Sequence, residues 1–107
     1  MGEFRKTQVE EMVAHAAADF LSRTSNRQSL ITVTRASISP DLRNATIYFT
    51  VFPEDTEAAA LEFVKRQRSE FRSSIKKHVR LKSVPVFDFV IDEGEKKRQI
   101  LDEISNK

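Results

Sequence analysis

At 107 residues and a formal charge of +2, the chain fits one domain with no room for a separate catalytic lobe. The absence of cysteine excludes disulfides, thiolate zinc sites and cysteine nucleophiles, and two glycines, Gly2 and Gly94, are too few for a phosphate-cradling glycine loop. No apolar run approaches the ~20 residues that span a bilayer, and Met1–Lys6 has no signal-peptide core, so a soluble cytoplasmic protein is expected.

Thr7 and Glu10 have capping-box spacing, and Val9, Met12, Val13, Ala16, Ala17, Phe20 and Leu21 recur at helical intervals. A first helix from about Thr7 to Leu21 is predicted, with a turn-prone stretch, Ser22–Ser29, after it. Leu30–Ile38 is rich in β-branched residues, but Ile31 and Val33 share one strand phase while Ala36 and Ile38 share the other. Such a slip marks either a β-bulge or an irregular edge strand. Ser39-Pro40-Asp41-Leu42-Arg43-Asn44 is a turn cluster, and Ala45–Phe52 alternates as a second strand, which makes an antiparallel hairpin. Tyr48 is the one aromatic on the less apolar face of that strand and so the best base-stacking candidate. Phe49, Phe52, Phe87 and Phe89 read as core.

Pro53 ends the second strand, and Asp55 or Thr56 is placed to cap a helix. Ala60, Leu61, Val64, Phe71, Ile75 and Val79 continue an apolar stripe, but in a straight helix Arg68 would fall on its buried face. A lone buried guanidinium costs several kcal/mol. Either the helix breaks near Gln67-Arg68-Ser69, which small, helix-indifferent Ser69 favours, or Arg68 snorkels across the core edge. Val84–Ile91 reads as a third strand with both faces largely covered and Pro85 at its beginning. Asp92 and Glu95 are placed to cap a last short helix around Ile100, Leu101 and Ile104. A helical crossover between the second and third strands implies that they run parallel.

Charge is segregated along the chain. Between Lys65 and Lys82 stand Lys65, Arg66, Arg68, Arg72, Lys76, Lys77, Arg80 and Lys82 against one acid, Glu70. That window carries +7 and the remainder −5, a footprint expected of a domain that grips phosphates. Taking Phe71 as the core direction, helical geometry sets Lys65, Ser69, Lys76 and Arg80 roughly opposite or beside one another. Arg5, Lys6 and Arg43 are candidates to extend the surface, with Arg68 reaching from the break into a groove. Phosphate contacts position without reading sequence, so recognition should depend on RNA shape.

Catalytic chemistry is not legible. His15 and His78 are far apart and have no cysteine to share a metal with, so no metal or cofactor site is expected. Glu10, Glu11, Glu54, Asp55, Glu57, Asp92 and Glu93 all fall at predicted helix starts, where they favour the positive end of the helix dipole. Ser22, Ser25 and Ser29 have no adjacent base. The chain reads as a non-enzyme.

Ser39-Pro40-Asp41-Leu42-x-x-Ala45-x-x-Tyr48 resembles the hairpin signature of bacterial ribosome-binding factor A, and so does Phe71-Arg72 followed by Arg80-Leu81-Lys82-x-x-Pro85-x-Phe87-x-Phe89-x-x-Asp92. The match runs from roughly Arg5 to Ile104. The resemblance implies an α+β sandwich, a KH-like fold of the second topology, in which a three-stranded mixed sheet carries helices on one face. An interrupted helix replaces the Gly-x-x-Gly loop of ordinary KH modules. The family's interruption is an Ala-x-Gly step; Gln67-Arg68-Ser69 stands in its place here. Residues 1–107 would form a single RNA-binding domain, with a core over about 5–92 and a C-terminal helical segment over 93–107. The implied partner is the small ribosomal (30S) subunit and its 16S rRNA. The implied role is in late assembly and maturation of the RNA's 5′ end, as a monomer, with greatest importance in the cold. The rival reading is a protein-interaction module whose basic helix docks an acidic partner.

Overall fold

The computed structural model describes residues 2–24, 29–78 and 83–105. Helix α1 spans Gly2–Thr24, strands β1 and β2 span Leu30–Ile38 and Asn44–Phe52, and a 3₁₀ turn over Glu54–Thr56 leads into α2, Glu57–Arg66. Helix α3 (Arg68–His78), strand β3 (Val86–Ile91) and helix α4 (Glu93–Ser105) complete the order. The sheet order is β1-β2-β3, with β1 antiparallel and β3 parallel to the central β2. The mixed sheet and the α+β architecture expected from the sequence are present.

Helix α1 begins before Thr7, so the predicted capping box does not form. Glu10 lies inside the helix, and its Oε2 accepts the backbone N–H of Ile38 at 2.8 Å, tying α1 to the end of edge strand β1. Glu10 and Glu11 therefore do not sit at a helix start. Val13, Ala17, Phe20 and Leu21 are buried, as their spacing predicts. Helix α1 runs on through Ser22–Thr24 of the expected Ser22–Ser29 turn, and residues 25–28 lie outside the described residues.

The phase slip in β1 is a bulge. Register with β2 shifts between Val33 and Arg35, leaving Thr34 as the extra residue, so that Ala36 and Ile38 turn into the core. In the following turn Leu42 adopts φ 62°, in the left-handed region that few non-glycine residues enter, and the Asp41 carboxylate accepts from the Ser39 hydroxyl and the Arg43 N–H. Those bonds, the hydroxyl's first, hold the Asp41 pKa below the usual carboxylate value. The Phe52–Pro53 peptide is cis.

Phe71 is the hub of the core. Its ring meets those of Phe87, Phe20 and Phe89 edge-on, at centroid distances of 4.8, 5.4 and 5.9 Å. Ile47, Phe49, Val64 and Ile75 fill in around it. Phe52 differs from expectation: it points away from α1–α3 and is exposed. Strand β3 starts two residues later than predicted, and only its Phe87/Phe89 face is covered; Val86, on the other, is 62% exposed.

Helix α4 departs from a strictly one-sided arrangement. Thr50 points away from α1–α3, yet it is buried, and Gln99 of α4 reaches its hydroxyl at 3.5 Å. Asp92 caps α4 by accepting the N–H of Glu95 at 3.0 Å, whereas Ile100, Leu101 and Ile104 are exposed.

Candidate nucleic-acid interface

The helix breaks where the misplaced Arg68 predicts. Gln67 leaves helical geometry (φ −87°, ψ 0°), its N–H is shared between the carbonyls of Phe63 and Val64, and α3 restarts at Arg68. The break lets Val64 end one apolar stripe and Phe71 begin the next, both fully buried, while Arg68 swings out. The Arg68 Nε donates to the carbonyl of Lys65 at 3.0 Å, and its Nη1 reaches Asp88 of edge strand β3 at 3.4 Å.

Lys65 and Arg66 occupy the last turn of α2, and Lys76 and Lys77 the last turn of α3. All four are exposed, and none forms a hydrogen bond or ion pair through its side chain among the described residues. Each also lies at the negative end of a helix dipole, an arrangement worth a few tenths of a kcal/mol that offsets the exposed carbonyls. Along α3, Arg68 and Lys76 are separated by about 12 Å of helix rise. Glu70 makes no ion pair with any of these cations among the described residues.

Arg72 is different. Half-buried, it donates from Nε to the carbonyl of Pro85 at 3.2 Å and from Nη2 to that of Val84 at 3.1 Å, joining α3 to the entry of β3. Sequence reasoning placed it among the phosphate ligands because a run of cations does not show which one faces inward. Val79, Arg80 and Lys82 lie outside the described residues.

Arg43 is exposed in the β1–β2 turn, at the same end of the sheet as the helix break. Its carbonyl accepts the N–H of Val86, two residues before Asp88. Lys6 and Arg5 belong to the start of α1, which runs beyond Glu10 and its bond to Ile38 at that end. Arg5 is exposed and Lys6 half-buried.

The clefts holding the histidines do not assemble a catalytic pair. His15 lines a groove of about 430 Å³ between α1 and β1 beside Glu10 and Glu11, and His78 lines a hollow beside Asp19 and Arg23. Asp19 is paired with Arg23 at 3.0 Å, Glu10 is held by Ile38, and neither imidazole is hydrogen-bonded among the described residues. No group of three or more metal-ligating side chains converges among those residues, and none of their helices is long and apolar enough to cross a membrane.

The family model for ribosome-binding factor A matches residues 5–105. The chain belongs to the ribosome-binding factor A family. It is 37% identical over 95 residues to the ribosome-binding factor A of Thermobifida fusca, a match covering 83% of this chain and 61% of that protein. The chain thus spans about three-fifths of that relative's length. The crystal structure of ribosome-binding factor A from Thermus thermophilus superposes with a TM-score of 0.72 at 23% identity, over 80% of this chain and 94% of that one. A Thermus thermophilus ribosome-binding factor A model fitted into the cryo-EM map of a 30S complex gives 0.68 at 22% identity, over 80% and 93%. At these identities the two structures attest the shared fold. The helix of this chain is interrupted at Gln67, between α2 and α3.

Proposed function

We propose that this ribosome-binding factor A family member binds the small ribosomal subunit through phosphates of its 16S rRNA and acts, without catalysis, late in that subunit's assembly, favouring maturation of the RNA's 5′ end. The observation that carries the reading is the set of exposed cations in the last turns of α2 and α3, Lys65, Arg66, Lys76 and Lys77, whose side chains have no carboxylate partner among the described residues. Unpaired lysines and arginines at this density attract phosphate and release counterions on binding. Family membership supports the partner, as does the Thermus relative seen fitted to a 30S complex. Arg68 stands at the break, and Arg43, Arg5 and Lys6 extend the face around the end of the sheet. Arg80 and Lys82 continue the same basic run in sequence. Arg72 is assigned to holding β3 against α3.

The test is a sucrose-gradient profile of cell extract probed for the chain, repeated at rising salt and after ribonuclease treatment. Co-migration with free small subunits that falls steeply between about 50 and 200 mM salt is expected. A complex that survives ribonuclease overturns the RNA reading in favour of an acidic protein partner, whose docking on the basic helix would be salt-sensitive as well.

A further inference from the structure

The bulge in β1 does more than correct a phase. With unbroken alternation after Ile31 and Val33, Arg35 would point into the core. The extra residue, Thr34, turns Arg35 to the sheet face away from α1–α3, directly across from its register partner Tyr48. There the guanidinium carbon sits 3.6 Å from the centre of the Tyr48 ring. That separation is the contact distance of two flat groups and leaves no room for an N–H aimed at the ring, so guanidinium and phenol lie face to face.

The stack is held from one side. The Asp92 carboxylate lies 3.5 Å from the Arg35 Nε, and that carboxylate is itself fixed by the Thr34 hydroxyl at 2.6 Å and by the N–H of Glu95. Thr34 also donates to the Tyr48 carbonyl at 3.3 Å. Asp92 therefore orients the guanidinium and offsets its charge. What it leaves open is the plane: the Arg35 side chain is 57% exposed. Ser37 and Thr46 adjoin the stack on the same face, and Val90 flanks Tyr48.

We infer that the Arg35–Tyr48 stack is a second RNA contact, a platform for an unpaired base on the sheet face opposite the cationic helix break. A phosphate would compete with Asp92 for the guanidinium edge, whereas the π-face of a base needs only its open plane. Tyr48, the stacking candidate from the sequence, thus acts as the support beneath the surface that the base meets. The inference rests on the RNA reading of the preceding subsection, but uses different residues.

The chain contains one tyrosine and no tryptophan, so its tyrosine emission reports this site alone. The full chain is titrated with a ten-nucleotide oligoadenylate and, separately, with an abasic oligomer of equal length and charge. Binding is followed by anisotropy of labelled oligomers and stacking by Tyr48 emission. The expected result is that adenine oligomers change the emission and abasic ones do not. Arg35→Ala should abolish the change and weaken oligoadenylate binding roughly tenfold, with Arg35→Lys, which keeps the charge and loses the plane, close behind. If oligoadenylate binds while Tyr48 emission stays still, the platform is wrong and the RNA reading stands. If neither oligomer binds, the platform falls, and the proposed function is judged separately by subunit co-migration. The wild-type emission contrast decides the matter even should Arg35→Ala fail to fold.

Discussion

The two ends of the sheet use charge in opposite ways. At the end where α4 docks, the charges that join the helix to the rest of the fold are matched. Lys96 lies 3.1 Å from both Glu54 and Glu57, Asp92 is bonded to Thr34 and the N–H of Glu95, and Arg35 adjoins it. At the end that holds the β1–β2 turn and the helix break, Lys65 and Arg66 are exposed without side-chain partners among the described residues, and Arg43 projects from the turn. Both ends are rich in ionisable groups, so composition does not separate them. Pairing does: matched charges fix an element to the fold, while unmatched ones remain available to a phosphate.

The sharpest way to break this contrast is to reverse the unmatched cations of α2 and α3. Converting Lys65, Arg66, Lys76 and Lys77 together to Glu should lower affinity for small subunits on the order of a hundredfold or more near 0.15 M salt, since each lost phosphate contact forfeits its counterion release. The fold should survive with a loss of about 1–2 kcal/mol, summed over the helix-dipole contributions, because each site is exposed. Co-sedimentation and a urea melt of the same variant check both halves. A variant that binds normally removes these residues from the interface.

The matched end should behave in reverse. Asp92→Ala removes an N-cap and leaves the Thr34 hydroxyl only its longer bond to the Tyr48 carbonyl, with an expected loss of about 1–2 kcal/mol in urea denaturation. The Thr34 bond, followed by the Glu95 N–H, holds the Asp92 pKa below its ordinary value, against the opposing effect of burial. A lowered carboxylate pKa contributes stability that is present above the unfolded value and lost as pH falls through the folded one. Wild type should therefore lose stability below about pH 4 more steeply than Asp92→Asn, which caps without titrating. Parallel pH profiles for the two proteins would show that Asp92 is not bonded as described.

These two ends also differ in how well the sequence announces them. The bulge and the helix break were legible because each is a conflict between periodicity and burial. The phase slip between Val33 and Ala36, and Arg68 on an apolar stripe, have few low-energy resolutions. The parallel pairing of β2 and β3 followed from connection rules. Glu10 was misread because a helix start and a tertiary acceptor need the same residue type, and only the position of Ile38 distinguishes them. The structural bonds of Arg72 were not legible because the two carbonyls it satisfies, those of Pro85 and Val84, lie thirteen and twelve residues away. The docking of α4 was hidden for a similar reason: it runs on ion pairs and caps, which leave no periodic signature, and its one apolar cluster stays exposed.

Arg72 stands between the two regimes, a cation in the basic stretch with a structural task. Arg72→Ala leaves the carbonyls of Val84 and Pro85 without their donors and should destabilise the fold by about 1–3 kcal/mol. Arg72→Lys recovers part of that, because one ammonium cannot reproduce the forked geometry. In calorimetric melts the alanine variant should lie well below the Lys76→Ala variant, which loses only an exposed charge. Equal melts would return Arg72 to the ligand-facing set.

The smallest effect is expected at Lys96, and it tests what holds α4. No residue of α4 is buried, so apolar contact supplies little of its attachment, and the Asp92 cap, the Gln99–Thr50 contact and the Lys96 pairs supply the rest. The bond to Glu57, then that to Glu54, raises the Lys96 pKa above its ordinary value. That contribution is complete below the unfolded lysine value and disappears only as pH rises through the folded one, so neutral conditions leave it intact. Lys96→Gln should consequently speed amide hydrogen exchange throughout α4 while leaving β2 and its Phe49 neighbours protected, and about 1 M salt should partly reproduce the change in wild type. Exchange in α4 that is indifferent to both would mean that Ile100, against Val51 and Phe52, holds the helix instead, and that charge pairing is not what distinguishes the two ends.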